Sequence, residues 1–349
     1  MSTEGVVRAS ISLRAVEWKT LGLVILTYAA FAALTWYWAE IPLWSLLPLG
    51  GFAACLHGSL CHEAAHGHPT RIRGLNSFLV AFSPIVWVPY LRYRKLHLKH
   101  HNDDRLTDPF DDPESWFLTP KDFGSLTDFE RLLLNVNNTS TGRLIIGPVV
   151  AFIRFAFSEA RLLLKGNAEV AAAWGWHLLA VASLLYWVLV ICQMPFVVFL
   201  VCFVWAGTSL TLMRSYAEHR AHEDPKARTA VVETNPLISL MFLNNNLHVV
   251  HHDNPQVAWY NLPQIYRSGR EEFLKANKGY LINGYGRLLR KFFIKPHQPI
   301  AHPLMQPPQK KPAESDATPF QGIARAPCIA RDDTLMIAPE EESNCPSKR

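Results

Sequence analysis

Positive charge is missing from two long stretches of this chain. It has 349 residues and 34 Lys and Arg, yet none of these lies between Thr20 and Thr70 or between Gly166 and Met213. There is no Cys-x-x-Cys pair among the six cysteines (Cys55, Cys61, Cys192, Cys202, Cys328 and Cys345). That argues against an iron–sulfur or rubredoxin-like site built by this chain. No haem-binding cytochrome segment and no internal repeat is visible. The net charge is only +5. It suits anionic headgroups or an acidic protein partner and gives no sign of nucleic-acid binding. The first apolar segment is too long for a cleaved leader and has no clear small-residue cleavage site.

What fills the charge gaps is apolar. Segments 20–39, 41–61, 174–192 and 195–213 carry no Asp, Glu, Lys or Arg. Each is close to the ~20 residues a helix needs to cross a ~30 Å hydrocarbon core. They predict four transmembrane helices in two hairpins, turning at Glu40-Ile41-Pro42 and Gln193-Met194-Pro195. Four of the cysteines fall in these helices, where they behave as small apolar residues. The turns lack Lys and Arg, so the positive-inside rule puts everything else on the cytoplasmic side.

The expected fold is therefore all-α and integral to the membrane, with a cytoplasmic helical cap. The expected organisation is a cytoplasmic N-terminus (1–19), a first hairpin (20–61), a cytoplasmic region (62–173), a second hairpin (174–213) and a second cytoplasmic region (214–295). The Pro-rich polar stretch 296–349 reads as a disordered tail. Within the cytoplasmic regions, 75–96 is broken by Pro84 and Pro89 and reads as an interfacial or re-entrant piece. Residues 144–164 suit a membrane-surface helix, and 269–295 a basic amphipathic one.

Histidine is clustered. "HEAAHGH", from His62 to His68, contains the zinc-protease pattern His-Glu-x-x-His. Two further clusters are His97-Leu-Lys-His100-His101 and His248-Val-Val-His251-His252. Spacings of three and four put side chains on one helix face, and neutral imidazole is the commonest metal ligand. His62 lies 20 residues beyond Pro42, and His219 lies 24 beyond Pro195. At ~1.5 Å per residue both emerge from the same side of the bilayer, where the other clusters also lie. A zinc protease uses two histidines, a glutamate base and one further ligand. That leaves most of these imidazoles without work. Eight or nine of them call for two metal ions, whose element the spacing does not fix.

The pattern H-x-x-x-H, H-x-x-H-H, H-x-x-H-H between two membrane hairpins resembles the membrane fatty acid desaturase and hydroxylase superfamily. The segments "HGHPTR", "YRKLHLKHHNDDRLTDPFDDPES", "RSYAEHR" and "NNNLHVVHHDNP" resemble its bacterial members. The resemblance implies a di-iron centre, with two Fe per chain, molecular oxygen, and a separate electron-transfer protein such as a ferredoxin. It implies the ligands His62, His66, His97, His100, His101, His248, His251 and His252, with His219 as a ninth. Relatives carry an Asn four residues before that ninth histidine; here the position is Ser215, and Asn244, Asn245 or Asn246 is expected to substitute. Glu63, Glu218, Asp108, Asn246 and Asp253 are expected to orient the ligating imidazoles. His57, His68 and His222 are near-misses.

The resemblance implies a desaturase that introduces a carbon–carbon double bond into an alkyl chain, most readily a fatty acyl chain. It leaves open a small amphiphilic substrate such as dihydrorhizobitoxine, and the hydroxylases, ketolases and alkene-forming decarboxylases of the same superfamily. The zinc endopeptidase is a remote alternative. The expected location is the inner membrane of a bacterium, crossed several times, with both termini cytoplasmic.

Overall fold

The computed structural model describes residues 16–305, apart from the side chain of Asp103. Four helices are long and apolar enough to cross a membrane: Trp18–Trp36, Leu43–Ala65, Ala168–Ile191 and Phe196–Glu218. Pro42 and Pro195 immediately precede the second and the fourth. The second and fourth run past their apolar segments and carry His62, Glu63, Arg214 and Glu218 on their final turns. The same rods that would sit in lipid thus deliver polar side chains beyond it.

The second and fourth helices meet through a seam of small residues. A Cβ at Gly50 would sit 2.6 Å from the Cys202 carbonyl oxygen, and one at Gly207 would sit 2.5 Å from Ala54 Cβ. Neither position tolerates a side chain without parting the helices. Close backbone approach is how apolar helices gain packing where lipid is as apolar as the partner. Phe31, Leu46, Val188, Phe199 and Phe203 close the apolar core at the far end. Outward, Ile25, Leu26, Trp176, Leu179 and Val190 are exposed. Apolar surface on this scale is a mark of a membrane protein.

The remaining elements gather where the second and fourth helices end. Helix Tyr90–His100 follows an irregular stretch containing Pro84 and Pro89, as their spacing predicts. Helix Gly147–Leu164 exposes Val149, Phe152, Ile153 and Phe157 but buries Glu159. That carboxylate accepts from Arg92 Nε at 2.8 Å and Trp174 Nε1 at 3.0 Å. The fork ties helix Tyr90–His100 to the third long helix, and a bidentate buried pair of this kind fixes orientation as well as position.

Three expectations change. The region 269–295 is not one helix. Leu262–Ala276 is kinked at Gly269, and Tyr285–Lys291 stands apart. Between them Leu281–Ile282 pairs in parallel with Val231–Val232, so the fold is mostly rather than wholly helical. The tail does not begin at 296. His302 is buried, Leu118 N–H donates to the Ile300 carbonyl at 2.8 Å, and His297 N–H donates to the Asn138 carbonyl at 2.9 Å. Proline content hid this, because these backbone bonds need no regular element. Residues 1–15 and 306–349, which include most of the expected tail, lie outside the described residues.

Candidate metal centre

Nine imidazoles converge into two groups. His62, His66, His97, His101 and His251 form one; His100, His219, His248 and His252 form the other. Within each group the ligand nitrogens lie within 4.8 Å of one another.

Each triplet box divides the same way. His97 and His101, four apart, join the first group, while His100 goes to the second. His248 and His252, also four apart, join the second, while His251 goes to the first. Residues i and i+4 share a helix face, and i+3 is turned away from i+4 by one residue's rotation. Two helices standing between the groups would each feed both, and Tyr90–His100 and His248–Asp253 do so. His62 and His66 come from the end of the second long helix. His219 stands just past the fourth, in extended backbone (φ −129°, ψ 148°) that bridges to Thr229. Helix His248–Asp253 is only six residues long, too short to stand alone. The buried cluster of Val231, Val249, Val250, Leu262 and Tyr266 holds it.

The inward nitrogens are close. His97 Nε2 is 2.9 Å from His66 Nε2 and 3.1 Å from His101 Nε2, and His101 Nε2 is 3.2 Å from His251 Nε2. In the second group, His219 Nε2 is 3.0 Å from the Nε2 of both His100 and His248, and His252 Nε2 is 3.2 Å from His248 Nε2. Two nitrogens bound at ~2.1 Å to one ion and a right angle apart are separated by about 3 Å. The outward nitrogens fix the tautomers. His97 Nδ1 donates to Glu114 at 2.9 Å, His100 Nδ1 to Asp112 at 2.8 Å and His248 Nδ1 to the Asn245 side-chain oxygen at 2.8 Å. With the proton held outside, the lone pair of each points inward. Lone pairs gathered this closely need cations between them, so the donor set fits two metal ions.

Charge agrees with that reading. Burial holds His66 down at about 2 and keeps His97, His219, His248 and His251 below the ordinary imidazole range. These imidazoles are neutral. At His100 burial again opposes the charge, but Glu114 and Asp112 outweigh it and lift the group to about 9. A metal would displace that proton. Around the rings lie Glu63, Asp112, Glu114 and Glu218, against the buried Arg214. An excess of carboxylate is what two dications ligated by neutral nitrogen require.

The outer partners differ in part from expectation. Glu63 lies 3.5 Å from His62 Nδ1 and accepts from Trp259 N–H at 3.1 Å. Glu218 pairs with Arg214 at 3.0 Å and lies 3.4 Å from His248 Nδ1. Asp108 does not reach a ligand: it caps its own turn, accepting from the N–H groups of Phe110 and Asp111. Asp112 and Glu114, which the sequence reading missed, take that role. Asn246 donates to the Val232 carbonyl instead. Its neighbour Asn245 touches His62 Nε2 at 3.2 Å as well as His248, so it links the two groups. Ser215 donates to the Leu212 carbonyl. Asp253 is exposed at the end of its helix.

None of the near-misses belongs to either group. His57 meets Tyr28 at 3.0 Å, His68 meets Glu17 at 2.5 Å, and His222 accepts from Asp224 N–H at 3.0 Å. The acidic run from Asp108 to Glu114, close behind the second box, was the available sign of Asp112 and Glu114.

The profile of the fatty acid desaturase family matches residues 36–283, the segment that holds all nine histidines. The chain belongs to the fatty acid desaturase family. No curated protein matches it. Membership and the two histidine groups make this an oxidoreductase-family membrane protein with a metal-binding donor set.

Proposed function

We propose that this desaturase-family chain is an oxygen-dependent di-iron enzyme that introduces a carbon–carbon double bond into an alkyl chain. The observation that carries the reading is the convergence of nine imidazoles into groups of five and four. One zinc ion with a catalytic water needs three protein ligands, so a zinc endopeptidase leaves most of the donor set idle. Two irons with O₂ supply an oxidant strong enough to take hydrogen from an unactivated carbon, which no side chain can do.

The chain's own residues do the rest. His62, His66, His97, His101 and His251 would hold one ion, and His100, His219, His248 and His252 the other. Glu114, Asp112 and Asn245 hold protons on the outward nitrogens and so keep the inward ones free. Glu63, through Trp259 N–H and His62, anchors the end of the second helix. The buried surroundings exclude water, which protects a reactive site from side reactions.

We place the hairpin turns on the periplasmic side of a bacterial inner membrane and the metal site on the cytoplasmic side, where lipid-soluble substrates meet it. Electrons then come from a separate cytoplasmic carrier such as a ferredoxin. The test is metal analysis of the purified protein with mass spectrometry of products after expression. About two Fe per chain and a product two mass units lighter than substrate are expected. One zinc per chain would overturn the reading.

A further inference from the structure

A cavity of about 70 Å³, open to the surface, adjoins the four-histidine group. That is room for a few water molecules or for a polar headgroup. His219, Arg143, Asn137, Trp116, Tyr216 and His297 are among its lining residues. Arg143 is only 3% exposed. Its Nε donates to the Asn137 carbonyl at 3.1 Å, and its guanidinium lies 4.0 Å from the Trp116 ring centre and 5.3 Å from that of Tyr216. The two terminal nitrogens have no hydrogen-bond partner among the described residues, and Nη1 is fully buried.

No carboxylate among the described residues pairs with Arg143, although three line the same cavity. Each is engaged elsewhere: Asp112 by His100, Glu114 by His97 and Glu218 by Arg214. An aromatic face offsets part of a cation's lost hydration but leaves N–H donors unsatisfied, and a buried unpaired charge is costly. Burial pushes Arg143 down to about 9, so it stays charged at neutral pH. The Asn137 side-chain oxygen is buried without a partner in the same lining.

We propose that Arg143 receives the carboxylate of the substrate in this cavity. This rests on the desaturase reading of the histidine site and narrows its substrate class to amphiphiles with a free carboxylate, as against neutral lipid esters. The planar guanidinium fork matches a carboxylate in shape as well as charge. Arg143 and His219 share one cavity, so the carbons that react lie toward the carboxylate end of the molecule. Asn137 then serves a hydroxyl or amine donor on the same substrate.

The test is calorimetric titration of the full chain in non-ionic detergent with hexanoate, hexanamide and hexyl phosphate. Metal content is measured on the same samples. Hexanoate should bind at least tenfold more tightly than hexanamide. Arg143→Gln should reduce that preference below twofold with metal content unchanged, and Arg143→Lys should keep part of it. Equal binding of hexanoate and hexanamide by the unaltered chain overturns the proposal, whether or not the variants fold. So does a preference that survives Arg143→Gln, or a tenfold preference for hexyl phosphate. A hexanoate preference in protein that binds no metal would sink the desaturase reading and leave the subsite standing.

Discussion

The two histidine groups are built by different means. The five-membered group takes His62 and His66 from the end of a 23-residue helix seated against the fourth long helix. Regular helix spacing sets that pair, and the membrane-packed rod holds it. In the four-membered group, His219 stands in extended backbone outside its helix. It is kept there by the Thr229 bridge and by Gln298, whose side-chain N–H donates to the His219 carbonyl at 2.7 Å from 79 residues away. Its partner His100 leans on Asp112, and His248 on Asn245. The first group contains a pair set by local geometry, whereas His219 in the second depends on long-range support. Elements held by few, distant contacts open at lower cost than rods in a packed core, so the second group should be the softer.

The sharpest way to break this contrast is to remove a ligand from the softer side. His219→Ala should take product formation to background and leave about one metal ion per chain, with membrane insertion intact. Mass spectrometry and metal analysis check it. Two ions with normal turnover would show that His219 binds nothing.

Outer partners come next. Asp112→Ala and Asn245→Ala remove acceptors behind His100 and His248 and so free the wrong tautomer. Losses of 10- to 100-fold in metal affinity or activity are typical of such changes. Competition with a chelator should show the weaker site emptying first. Equal loss from both sites would mean that the groups act as one unit, joined through Asn245.

Gln298→Ala should be milder. One hydrogen bond to a backbone carbonyl is worth about 1 kcal/mol. A several-fold faster loss of one metal ion, with the other unaffected, is the expected result. Truncation after Lys295 should exaggerate it, because it also removes His297 and Ile300 from the cavity wall. Truncation after Met305 should spare both sites.

Smallest of all is Asp108→Ala. This carboxylate caps a turn and touches no imidazole. Lost caps cost about 1 kcal/mol, so thermal stability should fall slightly with metal content unchanged. A lost metal would restore Asp108 to the site and displace Asp112.

How much of this was legible depended on reach. Gly and Ala contacts at Gly50 and Gly207 could not be foreseen, but the helices they join could, because hydrophobic length is a local property. Eight of the nine histidines were legible for the same reason: spacing of three and four is written along the chain, whereas His219 came from the family resemblance. Asp112 was not, because it sits in a loop with no period. Asn245 could not be told from Asn246, because the backbone turns through positive φ at Leu243 and Asn244. Helical phase cannot be carried across such a turn. Gln298 was masked by the prolines around it.

The sequence by itself determined the four long helices, the identity of the imidazoles and the family to which the chain belongs. The helices and the eight box histidines follow from length, composition or spacing within a few turns of helix; His219 and the family follow from the resemblance. Only the tertiary structure decided which histidine joins which group, because each triplet box is divided between two sites by the angle at which its helix stands. It also decided that Asp112, Glu114 and Asn245 orient the rings. It alone put Arg143 and His219 in the lining of one cavity, since that arrangement depends on three-dimensional packing and leaves no trace in local sequence.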